Sequence, residues 1–164
     1  MEKTINTKQT VISAEGLKKM EEQLQFLTTV RRAEIAEQIA VARGFGDLSE
    51  NAEYDEAKNE QSKLESQIID LENTIRTAVI LEESDIKTDR VNIGTTVRVF
   101  DHELDEEVDY TIVGARESDP MNNRISNESP IGAALLGHKR NELVKVQTPG
   151  GELKLKVLRI RKAT

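Results

Sequence analysis

Cysteine and tryptophan are absent from this chain of 164 residues. Without cysteine there is no disulfide frame and no thiolate metal site, which suits a reducing cytoplasm. Aromatic residues amount to only 3 %, so a large single core is hard to build, and a helical rod joined to a small β-rich domain is easier. No apolar run reaches the roughly 18–20 residues of a membrane span. Met1 to Thr10 is polar and lacks the apolar stretch of a signal peptide. These absences predict a soluble, cytoplasmic protein, and the chain is expected to be a monomer. A basic excess is also missing. The net charge is −7; residues 1–80 carry 10 Lys+Arg against 15 Asp+Glu, and residues 81–164 carry 13 against 15. Proteins that bind free DNA or RNA unaided usually show a basic excess, so contact with nucleic acid is expected to depend on a partner.

Helical periodicity dominates residues 1–80, read as the first domain. Ser13 is a candidate N-cap, with Glu15 in the following turn. Leu17, Met20, Leu24 and Leu27 recur at steps of three and four; the pattern stumbles at Arg31 and resumes at Ile35, Ile39 and Ala42. The next helix carries a regular heptad seam of Ala57, Gln61, Leu64, Ile68, Leu71, Ile75 and Ala78. A short link containing Gly44 and Gly46 favours an antiparallel coiled-coil hairpin over an intermolecular bundle. With about 30 residues per helix, the arm would reach roughly 45 Å. Sparse bulky side chains near its end (Ala40, Ala42, Ala52, Ala57) predict a thin tip.

The period changes toward two in residues 81–164, read as the second domain. Glu82 to Asn92 loses periodicity and reads as a linker. Thr96–Phe100 and Val108–Ile112 alternate as strands, and Leu143–Gln147 with Glu152–Ile160 flank the turn Thr148-Pro149-Gly150-Gly151 as a hairpin. Pro130 to Leu136 reads as a short helix ending near Gly137. The fold class is therefore α+β: a helical hairpin, then a small antiparallel sheet with one short helix.

The chemistry concentrates at the tip, residues 44–55. Asp47 and Glu50 lie three apart, and Asp47, Glu50, Glu53, Asp55, Glu56 and Glu60 are opposed only by Lys58 within residues 47–60. Carboxylates are natural Mg²⁺ ligands. Two of them can help hold a second ion beside one bound elsewhere, as two-metal phosphodiester hydrolysis requires. The same Asp-x-x-Glu spacing also reads as a helix capping box, and the spacing leaves both readings open. Phe45 and Leu48 either staple the turn or wedge against a partner. Tyr54 either supports the acids or edges the seam.

Gly46-Asp47-Leu48-Ser49-Glu50-Asn51-Ala52-Glu53-Tyr54 resembles the signature of the Gre family of bacterial transcript cleavage factors, GreA type. Val30-Arg31-Arg32, Ala42-Arg43, Ser129-Pro130-Ile131-Gly132, Leu136-Gly137 and Gln147-Thr148-Pro149-Gly150-Gly151 extend the resemblance over nearly the whole chain. The resemblance implies an FKBP-like second domain that docks on bacterial RNA polymerase at its secondary channel. The arm would enter the channel and stimulate the polymerase's own cleavage of the nascent RNA 3′ end in backtracked complexes, close to the DNA. Asp47 and Glu50 match the family's two tip acids, expected to share Mg²⁺ with the polymerase. Tyr54 matches the tip's aromatic position, Asn51 is a candidate for tip support, and Arg43, Lys58 and Lys63 are candidates for guiding the RNA. The chain would not be an enzyme in itself. Three alternatives stand beside this reading: a channel-binding inhibitor, a coiled-coil adaptor without chemistry, and a prolyl isomerase. The isomerase needs an aromatic-lined pocket, and residues 81–164 offer only Phe100 and Tyr110.

Overall fold

The computed structural model describes residues 9–46 and 51–163. The chain forms two units: Leu17–Thr77 is one, and Ala78–Thr164 joins the chain up to Gly16 in the other.

The helical unit is an antiparallel hairpin. Helices α1 (Ala14–Phe26) and α2 (Arg32–Arg43) are joined by a π-helical turn at Leu27–Arg31, and α3 (Ala52–Thr77) returns. The hairpin core is Leu27, Ile35, Ile39, Ala57, Leu64, Ile68 and Leu71, with Met20, Leu24, Tyr54 and Ile75 packed around it. This is the pair of seams expected from the heptads. The π turn explains the stumble at Arg31. From Leu27 to Ile35 is eight residues, one more than a heptad, and that residue would rotate everything after it off the seam. Widening one turn absorbs it: the Arg32 N–H donates to the Leu27 carbonyl, five residues back. Carbonyls near the widened turn find side-chain donors. The Thr28 hydroxyl donates to the Leu24 carbonyl at 2.9 Å, and the Thr29 hydroxyl to the Gln25 carbonyl at 2.6 Å. Across the hairpin, Arg32 makes a two-pronged bond to Glu65, at 2.9 Å on each oxygen. That bond raises the pKa of the arginine and lowers that of the carboxyl.

The second unit is built on a five-stranded sheet with strand order β5-β4-β3-β7-β6. Its strands are β3 (Thr95–Asp101), β4 (Glu106–Val113), β5 (Arg124–Ser126), β6 (Leu143–Thr148) and β7 (Gly151–Lys162). Alternation puts Val97, Val99, Ile112, Val144, Val146, Leu155 and Val157 on one face, buried with Leu135 of helix α4 (Pro130–Leu135). Ser129 caps α4 by accepting from the Gly132 N–H at 3.1 Å, and Gly137, at φ 81°, follows its end. The sheet differs from the expected antiparallel one at an edge. β5 runs parallel to β4, because the chain crosses over through the short turns Ala115–Glu117 and Pro120–Asn122 instead of folding back as a hairpin.

This unit also takes in the start of the chain and Val79–Leu81, read from sequence as part of the hairpin domain 1–80, together with the stretch read as a linker. Val11–Ser13 forms β1, parallel to β2 (Val79–Leu81), with Val11 and Ile12 buried. The stretch read as a linker includes a 3₁₀ turn at Glu83–Asp85 and the fully buried Val91, whose N–H donates to the His138 carbonyl. A low-periodicity segment can still be anchored by one apolar side chain and its backbone bonds.

Candidate functional site

Helix α2 ends by tightening, its last N–H groups donating three residues back instead of four. The Gly44 N–H donates to the Ala40 and Val41 carbonyls, Phe45 to Ala42, and Gly46 to Arg43. Gly46 has φ 103°, a conformation that suits glycine. Asp47, Leu48, Ser49 and Glu50 lie outside the described residues, so the expected metal role of Asp47 and Glu50 and the staple role of Leu48 have no geometry here. Phe45 is 67 % exposed, so its ring is not a staple buried within the turn.

Asn51 joins the two helix ends. Its Oδ1 accepts from the Tyr54 N–H at 3.1 Å, capping α3, and its Nδ2 donates to the Ala42 carbonyl at 2.6 Å, near the end of α2. One side chain therefore satisfies a spare donor of one helix and an end carbonyl of the other. The described start of α3 is Ala52, so capping α3 falls to Asn51. That bears on the open question left by the Asp-x-x-Glu spacing, because α3 does not need Asp47 and Glu50 for its cap. The sequence marks Asn51 as a tip support and not as the cap, because the neighbouring Asp-x-x-Glu spacing is the stronger local capping pattern.

Tyr54 is half-buried against the hairpin core, and the Arg43 guanidinium lies 6.0 Å from the centre of its ring, at the limit of a cation–π contact. Of the three candidate guides, Arg43 alone stands beside the connection. Lys58 donates to Gln61 at 2.8 Å and Lys63 to Glu60 at 3.3 Å, both on exposed turns of α3. Lys63 lies eleven residues into the helix, roughly 17 Å along its axis.

Behind the tip, an open groove of about 750 Å³ runs between α2 and α3. Glu34, Glu37, Glu53, Glu56 and Glu60 line it, against Arg31. Ala42 and Ala57 are buried at its floor, where small side chains let the helices approach and keep this end of the hairpin thin. In the sheet unit Phe100 and Tyr110 fall on opposite faces. Tyr110 pairs with Val97 on the buried side and Phe100 with Glu107 on the other, so the two rings do not line one pocket. No helix among the described residues is long and apolar enough to cross a membrane.

Comparison with known proteins covers both units. Residues 10–80 match the family model described as transcription elongation factor, N-terminal, and residues 86–162 match transcription elongation factor, GreA/GreB, C-term. "Transcription elongation factor GreA" of Thermoanaerobacter pseudethanolicus is 58 % identical over 156 residues, covering 95 % of this chain and 99 % of its own. The protein of the same name from Clostridium perfringens is 52 % identical over 158 residues, covering 96 % and 100 %. Among solved structures, GreA factor homolog 1 of Thermus thermophilus is 26 % identical, with a TM-score of 0.43 over 94 % of this chain and 99 % of its own.

Proposed function

Because the chain belongs to the GreA/GreB family of transcription elongation factors, we propose that its helical hairpin carries Asp47 and Glu50 through the secondary channel of bacterial RNA polymerase. There it stimulates the polymerase's own cleavage of backtracked RNA, and the sheet unit docks outside. The observation that carries this reading is the Asn51 bridge. It ties together the end of one helix and the start of the next, on either side of the acid-bearing stretch of sequence. Positioning contributes much of the rate in a reaction of this kind, and fixed helix ends are what positioning requires.

The donor chemistry fits Mg²⁺. Asp47 and Glu50 would hold the ion as oxygen ligands, and two carboxylates leave most of an octahedral shell to waters and to the partner's groups. When bound, such an ion supplies activation of a water and stabilisation of the leaving oxygen. This chain's own residues do the placing. Asn51 fixes both flanks, Tyr54 packs beside them, and Arg43 offers a cation to the phosphodiester of the RNA end. The polymerase supplies the remaining ligands and the cavity that excludes water.

The test uses stalled, backtracked polymerase with Mg²⁺. Adding the protein should release short 3′ RNA fragments. Asp47→Asn and Glu50→Gln should abolish that release while leaving polymerase binding largely intact. The protein with RNA and Mg²⁺ but no polymerase should cleave nothing. Undiminished cleavage by both variants, or cleavage without polymerase, would overturn the shared-ion model. Tight binding that suppresses cleavage would instead identify an inhibitor.

A further inference from the structure

The face of the sheet turned away from the core is basic, in a chain whose net charge is −7. Cross-strand partners share a face, so the register identifies its members. Lys145 of β6 stands opposite Lys154 of β7, Lys156 of β7 opposite Phe100 of β3, and Arg98 of β3 opposite Arg159 of β7. Arg161 of β7 lies opposite Thr96 on the same side. All six cations are exposed. The carboxylates on this face are Glu107, Asp109 and Glu152. Asp109 is taken by Arg98 at 2.8 Å and Arg161 at 3.3 Å, and Glu152 by the Gln147 amide at 2.9 Å. Lys145, Lys154 and Lys156 have no ion pair among the described residues.

This arrangement works against folding. Like charges directly opposite each other on a sheet are destabilising, and the Lys145–Lys154 and Arg98–Arg159 pairs are both of that kind. The β7 bulge between Val157 and Arg159 is what puts Arg159 on the same side as Lys156. Under strict alternation Leu158, not Arg159, would share the side of Lys156. A face that gathers uncompensated charge at a cost to stability is matched to a partner of opposite sign.

We propose that this face is a docking surface for single-stranded RNA, held through its phosphodiester backbone by Lys145, Lys154, Lys156 and Arg159. Three features favour RNA over an acidic protein. The unpaired groups are mostly lysines, which bind phosphate as point charges but are depleted at protein interfaces. The apolar area is slight, with only Leu143 and Phe100 beside the lysines. Finally, Phe100 packs edge-on against His102, at 5.1 Å between ring centres, which leaves an aromatic flank beside the lysine row for an unstacked base. The proposal concerns the sheet unit and is independent of the tip's role in cleavage. A binding assay without polymerase separates the two.

The experiment measures fluorescence anisotropy of a labelled single-stranded RNA of about a dozen nucleotides, with the full chain, between ~50 and ~200 mM salt. The expected result is salt-sensitive binding whose log–log slope approaches −3, at about −0.7 for each of four phosphate contacts. K145E/K154E should weaken binding at least ~10-fold, and the neutral K145Q/K154Q should lower the slope by about 1.4. Circular dichroism melts confirm that both variants fold. Lys18→Ala, an exposed cation of the helical unit, should leave free-RNA binding unchanged. Failure of the native chain to bind at the lowest salt overturns the proposal. So does an unaltered slope in K145Q/K154Q. Equal or tighter binding of duplex DNA refutes the single-strand assignment, and binding of an acidic peptide in place of RNA assigns the face to a protein partner.

Discussion

The π turn at Leu27–Arg31 makes an unusual demand: deleting a residue there should do little harm. In a regular α-helix one surplus residue turns everything beyond it by about 100°. Without the widened turn, Ile35 and Ile39 would leave the seam. Both are buried now, at 2 % and 7 % exposure, and exposing two isoleucines costs ~3–6 kcal/mol. Deleting Thr29 shortens the step from Leu27 to Ile35 to seven residues, so a plain helix keeps the seam without a π turn. The expected stability is within ~1 kcal/mol of the parent, since the lost Thr29 side-chain bond and the regained helical bond are each worth about 1 kcal/mol. Deleting Gln67 in the regular α3 is the control. No widened turn is present there to remove, so Ile68 and Leu71 are displaced and the loss should approach ~3–6 kcal/mol. Urea unfolding followed by far-ultraviolet circular dichroism reads both. If the Thr29 deletion loses as much as the Gln67 deletion, the account of the π turn as an absorbed insertion is wrong.

Asn51→Ala should lose the α3 cap and the bond to Ala42, together about 1.5–3 kcal/mol, and should reduce cleavage stimulation more than polymerase binding. Asn51→Asp keeps the acceptor but not the donor, so it should recover the Tyr54 amide protection in hydrogen exchange and not the Ala42 bond; equal exchange at Tyr54 in wild type and Asn51→Ala would count against the bridge. The Glu65 carboxyl is held below its usual range by Arg32. Its contribution to stability is therefore present above the unfolded carboxylate pKa and is lost as pH falls through the lower folded value. Acid titration of Glu65→Gln should show a flatter fall in hairpin stability below about pH 4, and an unchanged acid limb would rule the pair out as a contributor. Gly114→Ala should destabilise the sheet unit by ~1–3 kcal/mol, because the added Cβ would strike the backbone carbonyl of Val11. A denaturation midpoint equal to the parent's would show that β1 yields easily.

Local pattern made much of this molecule readable. The heptads of α3 appear in the sequence because buried residues on a helix must recur at its own period, and Leu64, Ile68 and Leu71 are buried as that period requires. The β6–β7 hairpin and the Ser129-capped α4 were legible for the same reason: turns and caps are set by residues a few positions apart. The stumble at Arg31 was visible, but its resolution was not. A helix can lose a seam or widen a turn, and only the packing of Ile35 and Ile39 against α3 selects the second.

What the sequence by itself determined is the pair of helical seams, the turn between them, and the acid-rich stretch that the turn must carry, since each depends on neighbours along the chain. Tertiary structure alone decided the rest. β1 pairs with β2 across more than sixty residues, Asn51 reaches from one helix end to the other, and the cations of three strands meet on one face of a chain that is acidic in sum. Those features depend on which distant backbone segments come within hydrogen-bonding distance, and neither composition nor periodicity encodes that proximity.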